Sequence, residues 1–250
     1  MNTVKIEKKQ TLMVAHRGAS GLEPENSIPA FVAAGNRSYF GIETDVHVTS
    51  DGRFVCIHDE MTGRVAGDDI NVEVSSYNLV RKIVLDNKCN MEKQAGVKIG
   101  EVKGRDDLLI PRLEDYINIC KKYEKTAVLE VKNEMKAEDL KRLVEEIQNL
   151  DYLEHVIFIS FSLVNMIHLR EMLPNQELQY LTTKYNEEIH QALINYKLDW
   201  DTWYPALTKE IIDRLHAEGI EINTWTVDSR EDAEKFASWG VDFITSNVLE

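Results

Sequence analysis

Leu12-Met13-Val14-Ala15-His16-Arg17-Gly18 is a short apolar run that ends in an imidazole, a guanidinium and a glycine. Uninterrupted apolar residues over this length are typical of a buried strand. Side chains two residues apart in a strand share a face, so His16 shares its face with Leu12 and Val14. That face would fill the interior of a barrel of strands. It would leave the imidazole at the mouth, where α/β barrels carry their chemistry.

Two later strand-like runs carry charged side chains at the same spacing. Glu43, Asp45 and His47 share one face of the first run, and mainly apolar residues take its other face. Glu130 and Lys132 likewise share one face of the second run. Because strand parity places each group on a single face, we expect the three strands to bring carboxylates, an imidazole and an ammonium to one rim.

An extended segment after the second strand leads to another histidine. The turn at Ser50-Asp51-Gly52 is followed by Phe54-Val55-Cys56-Ile57 and then by His58. Glycine and aspartate between two apolar runs are typical of a hairpin. This geometry predicts that His58 returns to the rim.

Strand-like and helix-like stretches alternate along the rest of the chain. Eight strand candidates that alternate with helices predict an α/β fold, specifically a closed (β/α)8 TIM barrel, with residues 1–250 as a single domain. The open-sheet alternative would need a glycine-rich nucleotide-binding fingerprint, which the sequence lacks. The strand candidates are 12–16, 40–48, 127–132, 156–159, 177–182, 198–204, 220–227 and 241–245. The main helix candidates are 26–35, 136–149, 162–172, 186–195, 207–218 and 229–239.

Residues 60–110 break this alternation and are expected to form an insertion after the second strand. They are polar and charged, contain five glycines, and have one good helix candidate, Tyr77 to Leu85. An insertion at this place would sit over the rim, where long loops usually build the site. We therefore expect it to contribute to substrate selection. The alternative is a surface excursion with no catalytic role.

Composition limits the partners and the compartment. The chain has 250 residues, 43% of them hydrophobic, and a formal charge of −14, which would repel nucleic acid and anionic lipid surfaces. There is no apolar run of about 20 residues, and the N-terminus lacks the apolar core of a signal peptide. Cys56, Cys89 and Cys120 are far apart and form no CxxC pattern, which argues against a disulfide framework or a thiolate zinc site. We expect a cytoplasmic protein without stable membrane association.

The order and spacing of the charged motifs resemble those of the glycerophosphodiester phosphodiesterase family. The likeness covers roughly residues 12 to 247, and it includes an insertion at the same place. It implies a metal-dependent hydrolase that splits glycerophosphodiesters into sn-glycerol 3-phosphate and an alcohol. The matching motifs are His16-Arg17-Gly18, Pro24-Glu25-Asn26-Ser27, Glu43-x-Asp45-Val46, Thr49-x-Asp51-Gly52, His58-Asp59, Ile110-Pro111-x-Leu113-Glu114, Glu130-x-Lys132, Trp225-Thr226-Val227 and Gly240-Val241-Asp242.

The three carboxylates are the candidate metal ligands. Glu43, Asp45 and Glu130 offer oxygen donors from two strands, which suits one hard divalent cation. Mg²⁺ or Ca²⁺ is favoured, Mn²⁺ remains open, and zinc would prefer nitrogen or sulfur donors. The alternative is a structural ion-pair cluster of these acids with Lys132 and Arg17.

Two histidines suit the proton transfers of phosphodiester hydrolysis. One group must deprotonate the nucleophile and another must protonate the leaving alkoxide. The resemblance supports His16 and His58 in these roles, and the sequence leaves open which is the acid. It also leaves open whether water attacks directly or a substrate hydroxyl attacks first.

Other side chains have less specific roles. Arg17 and Lys132 are candidate phosphate contacts, with salt bridges to the acids as the alternative. Phe161 and Trp225 follow later strands and could line the substrate pocket or pack in the core. We expect a supporting role for His47, and we expect Asp59 to orient the loop that carries His58. Glu25 and Asn26 could orient the first loop or reach the site, and helix capping would account for Asn26 without catalysis.

The last strand departs from the family pattern. It reads Phe243-Ile244-Thr245-Ser246-Asn247, whereas the family more often has aspartate or asparagine directly after the threonine. Two further functions stay open: a membrane-acting phospholipase of the same fold, and a catalytically silent binding barrel. The expected partner is a small glycerophosphodiester, and the sequence does not specify the alcohol or the oligomeric state.

Overall fold

A computed structural model of the protein describes residues 2–86, 88 and 105–250. Over these residues the chain forms nine strands. Their bounds lie close to the runs predicted from the sequence. The strands are β1 Leu12–Ala15, β2 Gly41–Val48, β3 Phe54–Cys56, β4 Thr126–Val131, β5 Val156–Ser160, β6 Leu178–Thr182, β7 Asp199–Trp203, β8 Ile222–Trp225 and β9 Phe243–Ser246.

Eight of these strands form a closed parallel barrel. The order around it is β1-β9-β8-β7-β6-β5-β4-β2, and a parallel pairing of β1 with β2 closes the ring. Strand β3 lies outside the ring and pairs antiparallel with the end of β2. The predicted (β/α)8 barrel is therefore confirmed, together with the hairpin that precedes His58.

Helices connect the barrel strands. Their apolar faces pack on the barrel; in Ala137–Asn149 the buried side chains are Leu140, Leu143, Val144 and Ile147. Burying each such side chain stabilises the fold by about 1.5 to 3 kcal/mol. The helices of the described residues are α1 Ile28–Gly35, α2 Tyr77–Val80, α3 Leu113–Tyr123, α4 Ala137–Asn149, α5 Leu163–Met172, α6 Glu187–Tyr196, α7 Lys209–Ala217 and α8 Arg230–Trp239. None of them is both long enough and apolar enough to cross a membrane.

The barrel interior confirms the strand parity read from the sequence. Val14, Val128, Ile157, Leu181 and Phe243 pack together inside the ring as part of one buried cluster. The side chains above this layer point to the carboxyl ends of the strands. The functional groups of β1, β2 and β4 consequently share that end.

The described part of the insertion has its own small core. Val55 and Ile57, which precede His58, pack there with Val65, Val72 and Leu108. The insertion is thus packed against the segment that carries His58, and its contribution to substrate selection stays a prediction. Its glycines at positions 96, 100 and 104, and Cys89, lie outside the described residues.

The predicted helix Tyr77 to Leu85 is wrong in its second half. The helix ends at Val80, and the chain then forms β-bridges from Val84 to Leu109 and from Leu85 to Ala66. Ile83 and Val84 are β-branched residues that lose side-chain freedom in a helix. The bridges bury Ile83 and Leu85 in the insertion core, which a longer helix would not do.

Candidate active site

Three carboxylates meet at the carboxyl end of the barrel. Glu43, Asp45 and Glu130 are each buried, and each offers an oxygen within 4.8 Å of the others. The parallel register explains this, because Asp45 on β2 lies directly beside Glu130 on β4. The three residues predicted from the sequence as metal ligands therefore lie together in the structure.

The pKa values of the cluster show that its buried carboxylates repel one another. Burial, reinforced by Asp45, raises the pKa of Glu43 well above its usual range, and the same causes raise the pKa of Glu130 to about 7. Burial alone would also raise the pKa of Asp45, but Lys132 and Arg17 hold it well below its usual range. Oδ1 of Asp45 is buried and has no hydrogen-bond partner among the described residues. Three oxygen donors with an orphaned carboxylate oxygen fit one hard divalent cation.

Arg17 and Lys132 flank the carboxylates. The Lys132 ammonium donates to Glu130 Oε1 at 2.7 Å and lies 3.5 Å from Asp45 Oδ1. The Arg17 guanidinium donates to Glu25 Oε1 at 2.8 Å, and its Nε lies 3.5 Å from Asp45 Oδ2. Both salt bridges that the sequence offered as the alternative role therefore exist. The Nε of Arg17 is nevertheless buried without a hydrogen-bond partner.

A backbone turn brings Arg17 into the site. Strand β1 ends at Ala15, and Arg17 has a left-handed backbone with φ of 54°, so strand parity no longer applies to it. Gly18 follows with φ of 74°, and a Cβ there would lie 2.6 Å from the carbonyl carbon of Ala30. Only glycine fits this close approach. The turn also directs the Arg17 N–H to Glu43 Oε2 at 2.6 Å.

His16 is held by a chain of hydrogen bonds from the end of the barrel. Its Nδ1 lies 2.8 Å from Asn247 Oδ1, and Asn247 Nδ2 donates to Asp228 Oδ2 at 2.6 Å. Burial lowers the pKa of His16 to about 4, and the Arg17 charge contributes. The family more often has aspartate or asparagine directly after the threonine, where this chain has Ser246, and Asn247 comes one residue later. A polar side chain therefore still reaches this part of the site.

His58 has a different partner. Its Nδ1 lies 2.6 Å from Asp59 Oδ1, so Asp59 contacts the ring itself and not only the loop. Burial lowers the pKa of His58, although the nearby Asp45 charge opposes the shift. His47 supports the same segment, since its Nε2 lies 3.1 Å from the His58 carbonyl and its Nδ1 lies 2.7 Å from Glu73.

Arg64 of the insertion connects the two histidine loops. Its guanidinium binds both oxygens of Glu25, at 2.7 and 2.9 Å, and its Nε donates to Asp59. Burial alone would raise the pKa of Glu25, but Arg64 and Arg17 lower it to about 2. No pattern in the sequence points to Arg64, because it lies in a segment without regular periodicity and its partner Glu25 is 39 residues away.

Of the two roles considered for Asn26, the structure shows contact with the site and not the helix cap. The cap of α1 is Ser27, whose hydroxyl accepts from the Ala30 N–H at 3.3 Å. Asn26 instead donates to Asp45 Oδ2 at 2.8 Å and accepts from Thr44 at 2.7 Å. Asn26 thereby orients one of the three clustered carboxylates.

A cavity of about 210 Å³ lies over these groups. The residues that line it include His16, His58, Glu130, Phe161, Trp225 and Asp201. The Phe161 and Trp225 rings meet edge to face with centroids 5.6 Å apart. Phe161 and Trp225, the predicted pocket residues, therefore both line the cavity. Asp201 also lines it, and no motif in the sequence points to Asp201. A larger cavity of about 550 Å³ at the opposite end of the barrel contains none of these residues.

The chain matches a known family and curated relatives over most of its length. Residues 16–250 match the model of the glycerophosphoryl diester phosphodiesterase family. The chain is 28% identical over 244 residues to a glycerophosphodiester phosphodiesterase of Caldanaerobacter subterraneus subsp. tengcongensis, with 96% of each chain covered. A glycerophosphodiester phosphodiesterase of Bacillus altitudinis is 27% identical, with 94% of this chain and 93% of that protein covered.

Solved structures share the fold. An Oleispira antarctica phosphodiesterase in complex with the product sn-glycerol-3-phosphate superposes with a TM-score of 0.82 at 19% identity, covering 98% of this chain and 96% of that one. A putative glycerophosphoryl diester phosphodiesterase of Silicibacter pomeroyi gives 0.82 at 21% identity, covering 95% and 90%. Together with the family match over nearly the whole chain, this shows that the protein belongs to the glycerophosphoryl diester phosphodiesterase family.

Proposed function

We propose that the protein hydrolyses glycerophosphodiesters to sn-glycerol 3-phosphate and an alcohol, using a divalent cation and two histidines. The observation that carries this proposal is the cavity in which His16 and His58 face the cluster of Glu43, Asp45 and Glu130. Membership of the family supports the reaction class.

Glu43, Asp45 and Glu130 would hold one cation. Oxygen donors favour Mg²⁺ or Ca²⁺, with Mn²⁺ as a further candidate. The raised pKa values of Glu43 and Glu130 support the assignment, because a bound dication would offset the repulsion that causes them in part. When bound, the cation would compensate the charge that develops on the phosphoryl oxygens.

The two histidines differ in their partners, and this difference suggests their roles. His16 meets a neutral amide and has a pKa lowered to about 4, so it is neutral and can accept the proton of the attacking hydroxyl group. Burial lowers the pKa of His58 as well, but its partner is the Asp59 carboxylate, which favours the protonated imidazole and opposes that shift. We assign His16 as general base and His58 as general acid toward the leaving alkoxide.

Arg17 and Lys132 would bind the phosphate. The Nε of Arg17 supports its part: it lies 3.5 Å from Asp45 Oδ2 but makes no hydrogen bond to any described residue, so a phosphoryl oxygen would give it one. Phe161 and Trp225 would form the apolar wall of the pocket against the glycerol or the alcohol.

The test is a substrate panel with and without Mg²⁺, Ca²⁺ and Mn²⁺, with glycerol 3-phosphate as the readout. His16→Ala and His58→Ala should each lower kcat by about 10² to 10⁴ while the fold persists. A catalytically silent barrel would give no glycerol 3-phosphate with any cation. A phospholipase would release product from intact phospholipid vesicles in preference to soluble diesters.

A further inference from the structure

The barrel interior contains a polar sector that the proposed chemistry does not use. Strands β6 to β9 place Gln179, Asp201, Asn223 and Thr245 inside the ring, and each is at most 4% exposed. The neighbouring interior positions are apolar. Burial of polar groups is unfavourable unless they are hydrogen-bonded, so the sector needs a physical reason.

Hydrogen bonds account for most of this sector. Asn223 Nδ2 lies 3.1 Å from Gln179 Oε1 and 3.3 Å from Asp201 Oδ2, and Thr245 donates to Asn223 Oδ1 at 3.1 Å. Asn223 thus fixes one oxygen of the Asp201 carboxyl. Among the described residues, the other oxygen, Oδ1, is buried and has no hydrogen-bond partner.

Asp201 faces the catalytic cavity from the side opposite the carboxylate cluster. Four strand steps separate β7 from β2 in either direction around the ring, so Asp201 lies across the barrel from Glu43 and Asp45. It lines the same cavity, and so does Trp225, whose indole Nε1 is also buried without a partner. A substrate with its phosphate at the cluster would extend toward these two unpaired polar atoms.

We propose that Asp201, assisted by the indole N–H of Trp225, hydrogen-bonds the free hydroxyls of the glycerol half of the substrate and sets the selectivity for glycerol. A diol offers both donors and acceptors, which matches an unpaired carboxyl oxygen beside an unpaired N–H. The inference rests on the proposed function, because it assumes that the phosphate binds at the carboxylate cluster.

A cationic head group is a poorer match for this place. Burial, with the nearby Glu130 charge, raises the pKa of Asp201 well above its usual range, which favours an uncharged carboxyl. A quaternary ammonium would also leave the N–H of Trp225 without an acceptor. Hydroxyl groups satisfy both atoms.

Equilibrium binding tests this role without depending on the route of attack. The dissociation constants of sn-glycerol 3-phosphate, propyl phosphate and phosphocholine are measured by calorimetry, in the presence of the cation that supports turnover. The wild type should prefer glycerol 3-phosphate over propyl phosphate. Asp201→Ala and the near-isosteric Asp201→Val should reduce that preference about tenfold, the loss expected for hydrogen bonds to substrate hydroxyls, with propyl phosphate affinity kept within about threefold.

Two further variants control for shape and for charge. Leu181→Ala removes an apolar lining side chain beside Asp201 in the register and should leave the preference unchanged. Asp201→Asn keeps an acceptor and donors, and it should retain most of the preference. Unfolding curves for every variant check the fold, and Asp201→Val provides the result if Asp201→Ala does not fold.

The outcomes separate this inference from the proposed function. If the wild type neither cleaves glycerophosphodiesters nor binds glycerol 3-phosphate, the proposed function fails. If the wild type does both and the apolar variants keep its preference, the role of Asp201 is overturned. It is also overturned if those variants lose phosphocholine binding alone, because Asp201 would then contact a cation.

Discussion

The side-chain amide of Asn247 sets the tautomer of His16. Asp228 accepts from Asn247 Nδ2 at 2.6 Å, so the amide must direct its oxygen at His16. That oxygen lies 2.8 Å from Nδ1 and can only accept, which places the ring proton on Nδ1. The lone pair of the neutral ring is then on Nε2, as a general base requires.

Loss of this amide should impair proton transfer more than stability. We expect Asn247→Ala to lower kcat by about tenfold to a hundredfold, because the imidazole loses the partner that orients it. Initial rates on glycerophosphocholine give the value. Ser246→Ala is the control, since the Ser246 hydroxyl donates to the same Asp228 carboxylate, while its contact with His16 is made by the backbone carbonyl, which the variant keeps. Equal rate losses in both variants would contradict the assignment.

The fold and the core of the site were predictable because their signals are local. Strand parity places Glu43, Asp45 and Glu130 on inward faces, and parallel strands of a barrel end at the same rim. The alternation of apolar runs then gives eight strands. Neither step needs knowledge of contacts between distant segments.

The supporting residues were not predictable in this way. Arg64 lies 39 residues from Glu25, and no spacing rule links a loop arginine to that partner. Strand parity places Asp201 inside the barrel. It does not predict that Asn223 on the neighbouring strand binds only one of the two carboxyl oxygens. The helix at Tyr77 ended early because the insertion core favoured β-bridges over local helix propensity.

Arg64 should affect activity through the position of His58. Arg64→Ala removes the contact with Asp59 and should lower kcat by about tenfold, a typical effect of an outer positioning residue. The stability loss should be under about 1 kcal/mol, because the Arg64 side chain is 43% exposed and solvent screens its charge. Arg230→Ala removes an exposed i,i+4 ion pair on α8 and serves as the control. Unchanged kcat in Arg64→Ala would show that Asp59 holds His58 unaided.

We expect the carboxylate cluster to lower the Tm of the cation-free protein and to raise it when a cation binds. Without a cation, Glu43→Gln should leave Tm unchanged or raise it, because burial and Asp45 make the ionised Glu43 unfavourable. Mg²⁺ or Ca²⁺ should raise the Tm of the wild type, as any ligand of the folded state does, but not that of the variant. Thermal scans of chelated and reloaded protein measure both effects. Glu145→Gln, on the exposed face of α4, should respond to the cation as the wild type does.

The depressed pKa of His16 should make the chelated protein less stable in mild acid. Between its ordinary pKa of 6.5 and the folded value of about 4, the unfolded chain binds a proton at His16 that the folded protein does not. The contribution of His16 to the free energy of unfolding is therefore fully present above pH 6.5 and is lost as the pH falls toward 4. At pH 5 the loss from this group is up to about 2 kcal/mol.

Urea unfolding at pH 7 and pH 5 checks this contribution. His16→Asn should lose less stability on acidification than the wild type, since it lacks the titrating ring. His168→Asn, an exposed histidine on α5, should follow the wild type. Parallel losses in His16→Asn and the wild type would show that the His16 pKa is ordinary.

We expect the enzyme to bind the glycerol phosphate half of its substrate specifically and to accept different alcohols in the other half. Among the described residues that line the cavity, the carboxyl groups are Glu43, Glu130 and Asp201, and each has a proposed partner other than a cationic head group. Choline could still rest against Phe161 or Trp225, but such a contact contributes only about 0.5 to 2 kcal/mol, up to some thirtyfold in affinity. Phe161 is 46% exposed, which keeps that contribution at the lower end.

Glycerophosphocholine, glycerophosphoethanolamine and glycerophosphoglycerol should therefore have kcat/KM values within about two orders of magnitude of one another, as the size of the aromatic contribution implies. Bis(p-nitrophenyl) phosphate has no glycerol for the pocket to bind. It should be much poorer despite its better leaving group, because binding energy from the non-reacting half is used to position the reacting centre. The four substrates are compared in one buffer with the same cation, and a preference for the glycerol-free diester would mean that the cavity recognises the leaving group.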